Sequence, residues 1–374
     1  MRTPTVRRIT PAITAVTRRT PAPSPQAIPG SGAPRGAVPA SAGPGSPSFD
    51  LLGGRPVALE VDLGRGLVLA TPLLAAAGAF GYGVEVADLV DLPRLGAIVT
   101  RGTSLKPRSG QPAPRTAEVP AGLLLGIGVQ SPGLDAVLER YATTWVRWPV
   151  PVILNLCVES AAELGEALRR LEGAAGIAGI ELNLSCPNVT RGGTSFGLDA
   201  DAAGSLVAAA RRATDLPIIA KLTAAATDVR AIARAVEDAG ADVISAINTL
   251  PGLAIAADRR GPALGSRYGG IAGPALRPVA LRVVWEIAQV VDVPIIGIGG
   301  VTTLDDVLDL LAAGASAVGV GSAALADPML PVRLADELAD ACRARGVDRV
   351  SALVGTALPA RPAPGSTRGA EYGR

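Results

Sequence analysis

Eight short apolar runs recur along the chain, and segments rich in Ala, Leu and Arg fill most of the gaps between them. The runs cover 73–77, 97–101, 152–156, 180–185, 218–222, 243–248, 295–299 and 317–321. Each is the length of a buried strand and is closed by Gly, Pro or Asn. Helical spacing of apolar positions predicts helices over 134–145, 161–172, 200–213, 227–239, 278–290 and 303–313, with a last helix near 329–345 and a short piece at 350–356. Strands alternating with helices at this spacing predict parallel βα units. Eight units predict an α/β fold of the closed (β/α)8 TIM-barrel type, with a doubly wound open sheet as the alternative. Hydrophobic residues make up 48% of the chain and aromatics only 3%, so the core must be built from Ala, Val, Ile and Leu. That suits parallel strands buried on both faces.

Segments outside the repeat set the domain limits. A small hairpin is predicted over 57–63 and 67–69, ahead of the first strand. Two connections are long and rich in Pro and Gly: 103–132 after the second strand and 249–274 after the sixth. Both start at the carboxyl end of a strand, the active face of a barrel, where long loops belong to function. Residues 1–48 form a Pro/Ala/Arg-rich extension with no sustained apolar period, expected to be disordered. The barrel is expected over 49–357, and 358–374 repeat the composition of the extension as a second disordered tail. Residues 1–49 hold Arg2, Arg7, Arg8, Arg18, Arg19 and Arg35 and no acid, so a chain of net charge +2 carries −4 over the remainder. Such an arm could touch nucleic acid or a membrane; a solvated tail without a nucleic-acid partner is the expected reading. Arg7-Arg8 before an apolar run faintly resembles a twin-arginine signal, but Pro11 breaks the run. No stretch of eighteen apolar residues occurs, so no membrane span is expected.

The chain has no histidine. This removes the Ser-His-Asp triad, the usual general base and nearly all zinc chemistry, and no metal site is expected. Proton transfer must use Cys, a carboxylate, Lys, Tyr or a bound cofactor. Cys157, Cys186 and Cys342 lie far apart in no CxxC pattern, which fits a reducing, cytoplasmic setting without disulfides.

One stretch concentrates the remaining chemistry. In IELNLSCPNVTRGGTSFG (180–197), Ile180, Leu182 and Leu184 alternate with Glu181, Asn183 and Ser185, and Cys186-Pro187 ends the strand. Residues 190–197, rich in Gly, Ser and Thr, read as a flexible cover. A thiol between Asn183 and Asn188 suggests proton chemistry on a small polar ligand; a small buried hydrophobe is the other reading of Cys186. Asn155, Asn183 and Asn248 end three strands, as a ring of amides around a heterocycle would require. Lys221 ends another and is one of only two lysines, so an ammonium rather than a guanidinium is wanted there. The runs PIIGIGG (294–300) and AVGVGS (317–322) end in glycines after the last two strands, the usual phosphate end of a barrel, and Gly273 adds a third glycine turn.

At this point the chain resembles the class 1 dihydroorotate dehydrogenases, and within them the NAD-linked 1B branch. The resemblance spans about residues 50–357 and rests on AAAGAFGYG (75–83), GAIVTRGTSLKPRSGQPAPR (96–115), GIGVQSPG (126–133), ELNLSCPNVTRGG (181–193), INTLPG (247–252), YGGIAGPALRPVALR (268–282) and PIIGIGGV (294–301). It implies an FMN-binding barrel that oxidises dihydroorotate to orotate in pyrimidine synthesis. FMN would lie against Ala77, Arg101, Gly102, Asn155, Asn183, Lys221, Ile247, Gly273, Gly299, Gly300, Gly321 and Ser322. Cys186 would be the base that takes the C5 proton while hydride leaves C6 for flavin N5. Arg101, Asn183, Asn188, Asn248 and Thr249 would hold the pyrimidine. A separate FAD/iron–sulphur subunit would carry electrons to NAD, with fumarate as the other acceptor, and the assembly would be a homodimer or a heterotetramer. Six positions depart from the family pattern: Arg101 stands for a lysine, Leu125 and Ser131 for asparagines, Ala77 for a serine, and Ile271 and Ala272 in GGIAGPA for the leucine and serine of GGLSGPA. The first two alter the substrate pocket, so a sister flavoenzyme on another substrate is the alternative. A flavin-binding scaffold that is not an enzyme is a third reading.

Overall fold

The computed structural model describes residues 56–185, 187–188 and 194–360. The expected extension at 1–48, most of the expected tail and Cys186 lie outside them. Eight parallel strands close on themselves: β1 (Leu73–Ala75), β2 (Ile98–Val99), β3 (Val152–Cys157), β4 (Gly179–Asn183), β5 (Ile218–Leu222), β6 (Val243–Ala246), β7 (Ile295–Ile298) and β8 (Ala317–Val320). Each pairs with the next, and β8 pairs with β1 through Val318 and Leu73. This closure leaves no sheet edge, so the barrel is the architecture and the open sheet is not.

The helices follow the predicted positions closely: α1 (Leu134–Trp145), α2 (Ala161–Leu171), α3 (Ala200–Ala213), α4 (Val229–Asp238), α5 (Arg277–Ala288) and α6 (Leu304–Ala312), with a short α7 (Ala323–Ala326) and a final α8 (Leu330–Ala344). Side-chain caps explain several starts. Ser160, Asp199, Asp228 and Thr303 each accept a hydrogen bond from a backbone N–H of the first turn they precede. Apolar faces then dock on the strands, where Leu164, Val207, Val236, Val283 and Leu310 are essentially inaccessible. Among the described residues no α-helix separates β1 from β2, and α8 packs against β1 instead.

The α6 start supports a stability prediction. Asp306 completes a capping box with Thr303, accepts from the backbone of Thr302 and Thr303 at 2.8 Å each, and pairs with Arg277 at 2.6 Å. Burial raises its carboxyl pKa, but the bonds from Thr302 and Thr303 outweigh this and hold it below the usual aspartate range. A depressed folded-state value stabilises the fold above the unfolded pKa of about 3.9, and that contribution disappears as pH falls through the folded value. Asp306→Asn is expected to cost about 1–2 kcal/mol at pH 7 by urea unfolding. The difference from wild type should shrink as the medium is acidified.

One expectation is corrected. The second strand does not run continuously over 97–101. Ile98–Val99 pairs with Val152 and Ile153, and Thr103–Ser104 then resumes against Leu156 and Cys157. In the break, Arg101 N donates to Gly81 O at 2.7 Å, which turns Arg101 out of the ladder. The two long loops carry strands of their own. Thr116–Val119, Gly122–Leu125, Gly269–Ala272 and Leu250–Gly252 form one antiparallel sheet joining the loop after β2 to the loop after β6. At the amino end of β4, a hairpin of Val61–Asp62 and Val68–Leu69 buries Leu63, Leu67 and Leu69. No helix among the described residues is long and apolar enough to cross a membrane.

Candidate active site

The carboxyl ends of the strands and the mouth sheet enclose a cavity of about 600 Å³. That is the size of a cofactor-plus-substrate site. All twelve residues that the resemblance assigns to FMN line it: Ala77 after β1, Arg101 and Gly102 in the break of β2, Asn155 on β3, Asn183 on β4, Lys221 on β5, Ile247 after β6, Gly273 beyond the mouth sheet, Gly299 and Gly300 after β7, and Gly321 and Ser322 after β8. Asn248 and Thr249, expected at the substrate, line it too. The Asn188 side chain, like Cys186, falls outside what is described. The arm of the Cys186 loop is partly ordered by pairing: Pro187 and Asn188 run antiparallel to Ser195 and Thr194, and Ser195 Oγ donates to Leu184 O at 2.7 Å.

The amides form one connected chain. Asn248 Nδ2 donates to Asn183 Oδ1 at 3.2 Å and to Ser185 Oγ at 3.1 Å, while its Oδ1 accepts from Thr249 N at 2.7 Å. Asn183 Nδ2 donates to Cys157 Sγ at 3.6 Å, and the Cys157 thiol donates to Asn155 Oδ1 at 3.5 Å. Asn155 Nδ2 donates to Glu181 Oε1 at 2.5 Å. The same oxygen lies 3.4 Å from Lys221 Nζ, and Ser245 Oγ donates to Oε2 at 2.7 Å. Glu181 is fully buried and Lys221 is 5% exposed.

Two glycines explain why the backbone comes so close to these groups. A Cβ on Gly102 would lie 2.8 Å from Cys157 Sγ and 3.4 Å from Asn155 Oδ1, so only glycine fits in the β2 break. A Cβ on Gly270 would collide with the Thr249 hydroxyl, so only glycine fits at that place in the antiparallel sheet of the two loops.

Cys157, Gln130, Thr116, Ile127 and Val129 also line the cavity and carried no predicted role; Ile127 and Val129 form an aliphatic wall with Leu125, which was expected to alter the substrate pocket. Cys157 stands two residues after Asn155, so the strand period already placed both on one face. Leu125 faces the cavity, whereas Ser131 does not: its hydroxyl accepts from Ser104 N at 3.2 Å and Gly133 N at 3.1 Å. Tyr82, nearby, is no proton acceptor at neutral pH, because burial pushes its hydroxyl up.

A flavin cofactor fits these donors. Among the described residues Lys221 has one partner, Glu181, for three N–H groups, and Asn155, Asn183 and Asn248 line the same cavity. At Gly321 a Cβ would meet nothing within 4 Å, so the missing side chain leaves open space at the phosphate end of the barrel. No cluster of three metal-ligating side chains occurs among the described residues.

Comparison with known proteins agrees with this architecture. The dihydroorotate dehydrogenase family profile matches residues 59–342. The protein named dihydroorotate dehydrogenase B (NAD(+)), catalytic subunit, of Pelobacter propionicus is 47% identical over 290 residues, covering 78% of this chain and 95% of that protein. Its namesake in Geobacter sp. strain M21 is 45% identical with the same coverage. The one in Desulforamulus reducens is 44% identical over 299 residues, covering 80% of this chain and 98% of that protein.

Proposed function

The chain belongs to the dihydroorotate dehydrogenase family of flavin oxidoreductases acting on CH–CH bonds, and we propose that it binds FMN and oxidises dihydroorotate to orotate. The observation that carries this reading is the convergence of twelve assigned residues from all eight βα units on one cavity. Gly299, Gly300, Gly321 and Ser322 would hold the phosphate with backbone N–H groups. Asn155, Asn183 and Lys221 would hold the ring system, and Lys221 would neutralise negative charge on it. Bound there, FMN would supply the acceptor for the hydride that leaves C6. Asn183, Asn188, Asn248 and Thr249, with Arg101, would orient the pyrimidine, and Cys186 Sγ would accept the C5 proton. The chain would work in the cytoplasm, in de novo pyrimidine synthesis. Its relatives are named as catalytic subunits, which supports a second chain, carrying FAD and an iron–sulphur centre, as the route to NAD. Release of the bound flavin and its identification by mass, with a steady-state assay on dihydroorotate, test the proposal. A protein that carries FMN but forms no orotate would reject the substrate.

Leu125 favours a second reading. It places a methyl-rich wall where the family has an amide, and an unpartnered polar group on the substrate costs about 1–3 kcal/mol. Under the first reading, Leu125→Asn is expected to lower KM for dihydroorotate about ten-fold with kcat little changed. A higher KM, with turnover of another 5,6-dihydropyrimidine lost, would favour the sister-substrate reading.

A further inference from the structure

Glu181 stands apart from every role assigned so far. It does not line the cavity, has no exposed surface, and yet touches two residues that do. Its partners come from three other strands: Asn155 from β3, Lys221 from β5 and Ser245 from β6. A carboxylate can only accept hydrogen bonds. Asn155 must therefore turn Nδ2 down to Glu181, which leaves its Oδ1 to accept from the Cys157 thiol. The Cys157 sulphur is then free to accept from Asn183, and Asn183 Oδ1 accepts from Asn248. Every amide from the floor to the substrate end is oriented in sequence from one buried anion. The same anion is the partner of the Lys221 ammonium at 3.4 Å, so the pair adds no net charge beneath the cavity.

We propose that Glu181 is a positioning residue: acting through Asn155 and Lys221, it fixes the direction of the amide chain and cancels the lysine charge that the flavin ring would otherwise meet alone. The inference rests on the flavin reading given above. An uncompensated ammonium in a low-dielectric site would favour the negatively charged, reduced ring, and an uncompensated carboxylate would disfavour it. Glu181 thus sets the reduction potential without touching the ring.

The test is the flavin reduction potential, measured by equilibration with redox dyes in the holoenzyme, for wild type, Glu181→Gln, Lys221→Met and the double variant. Glu181→Gln is expected to raise the potential, Lys221→Met to lower it, and the double variant to return close to wild type. A residue that merely packs would not give shifts of opposite sign. If Glu181→Gln does not fold, Lys221→Met compared with the double variant reads the same charge step. A potential unmoved by removing Glu181 in both comparisons, or moved downward, overturns the proposal alone. Wild-type protein that takes up no flavin overturns the flavin reading before any variant is compared.

Discussion

Cys186→Ala is expected to retain its flavin and to lose at least about 100-fold in the rate of dihydroorotate oxidation at pH 7. A positioned general base contributes roughly 10²–10⁴-fold, and no histidine exists to replace it. Carboxylates do not take over easily. Glu181, the buried carboxylate beneath the cavity, is already engaged by Asn155, Ser245 and Lys221. Ser185, the sequence neighbour of Cys186, accepts a bond from Asn248 of the cavity lining, which ties that end of the strand to the site. The thiolate is the active form and a free thiol has a pKa of about 8.5, so wild-type turnover should climb between about pH 7 and pH 9. The variant's residual rate should be flat over that range. Flavin content by absorbance, with stopped-flow rates across pH, checks both statements. A variant at full rate means the base has been misassigned.

Lys221→Met is expected to damage both stability and chemistry. Removing one partner of a buried pair leaves the other charge uncompensated, at a cost of about 3–5 kcal/mol. The bonds from Asn155 and Ser245 to Glu181 remain, which places the expected loss near 3 kcal/mol. Urea unfolding of the flavin-free protein reads this term by itself. Loss of a fixed positive group facing developing negative charge should also slow flavin reduction by about 10²-fold or more. Adding Glu181→Gln to Lys221→Met should recover much of the stability, because no buried charge is then left alone. It should not recover the rate if the ammonium acts on the ring directly.

The barrel was legible in the sequence because its information is local. Each strand is a short Val/Ile/Leu/Ala run with a stop residue, and Ser160, Asp199, Asp228 and Thr303 mark helix starts in plain text. Asn155, Asn183, Lys221 and Asn248 could be singled out because they interrupt or end those runs. The mouth sheet was not legible. Gly122, Pro251, Gly269 and Gly270 argue against strands, and Leu125 finds its partner Gly270 only after four intervening barrel strands have been laid down. Glu181 shows the same limit within the site. Its place on the face of Asn183 follows from the two-residue period, but its partners sit on three other strands that only lateral pairing in the sheet brings together. The break in β2 was hidden for a related reason. It goes with the bond from Arg101 N to Gly81 O and with the fit of Gly102 against Cys157 and Asn155, contacts between segments rather than a property of either.

The most direct measurement is anaerobic mixing of the purified holoenzyme with dihydroorotate in a stopped-flow spectrophotometer. Bleaching of the oxidised flavin band, with about one orotate formed per flavin on the single-turnover scheme, is the result expected here. A flavin that stays oxidised under saturating dihydroorotate would contradict the account, whatever the chain's similarity in sequence to its relatives.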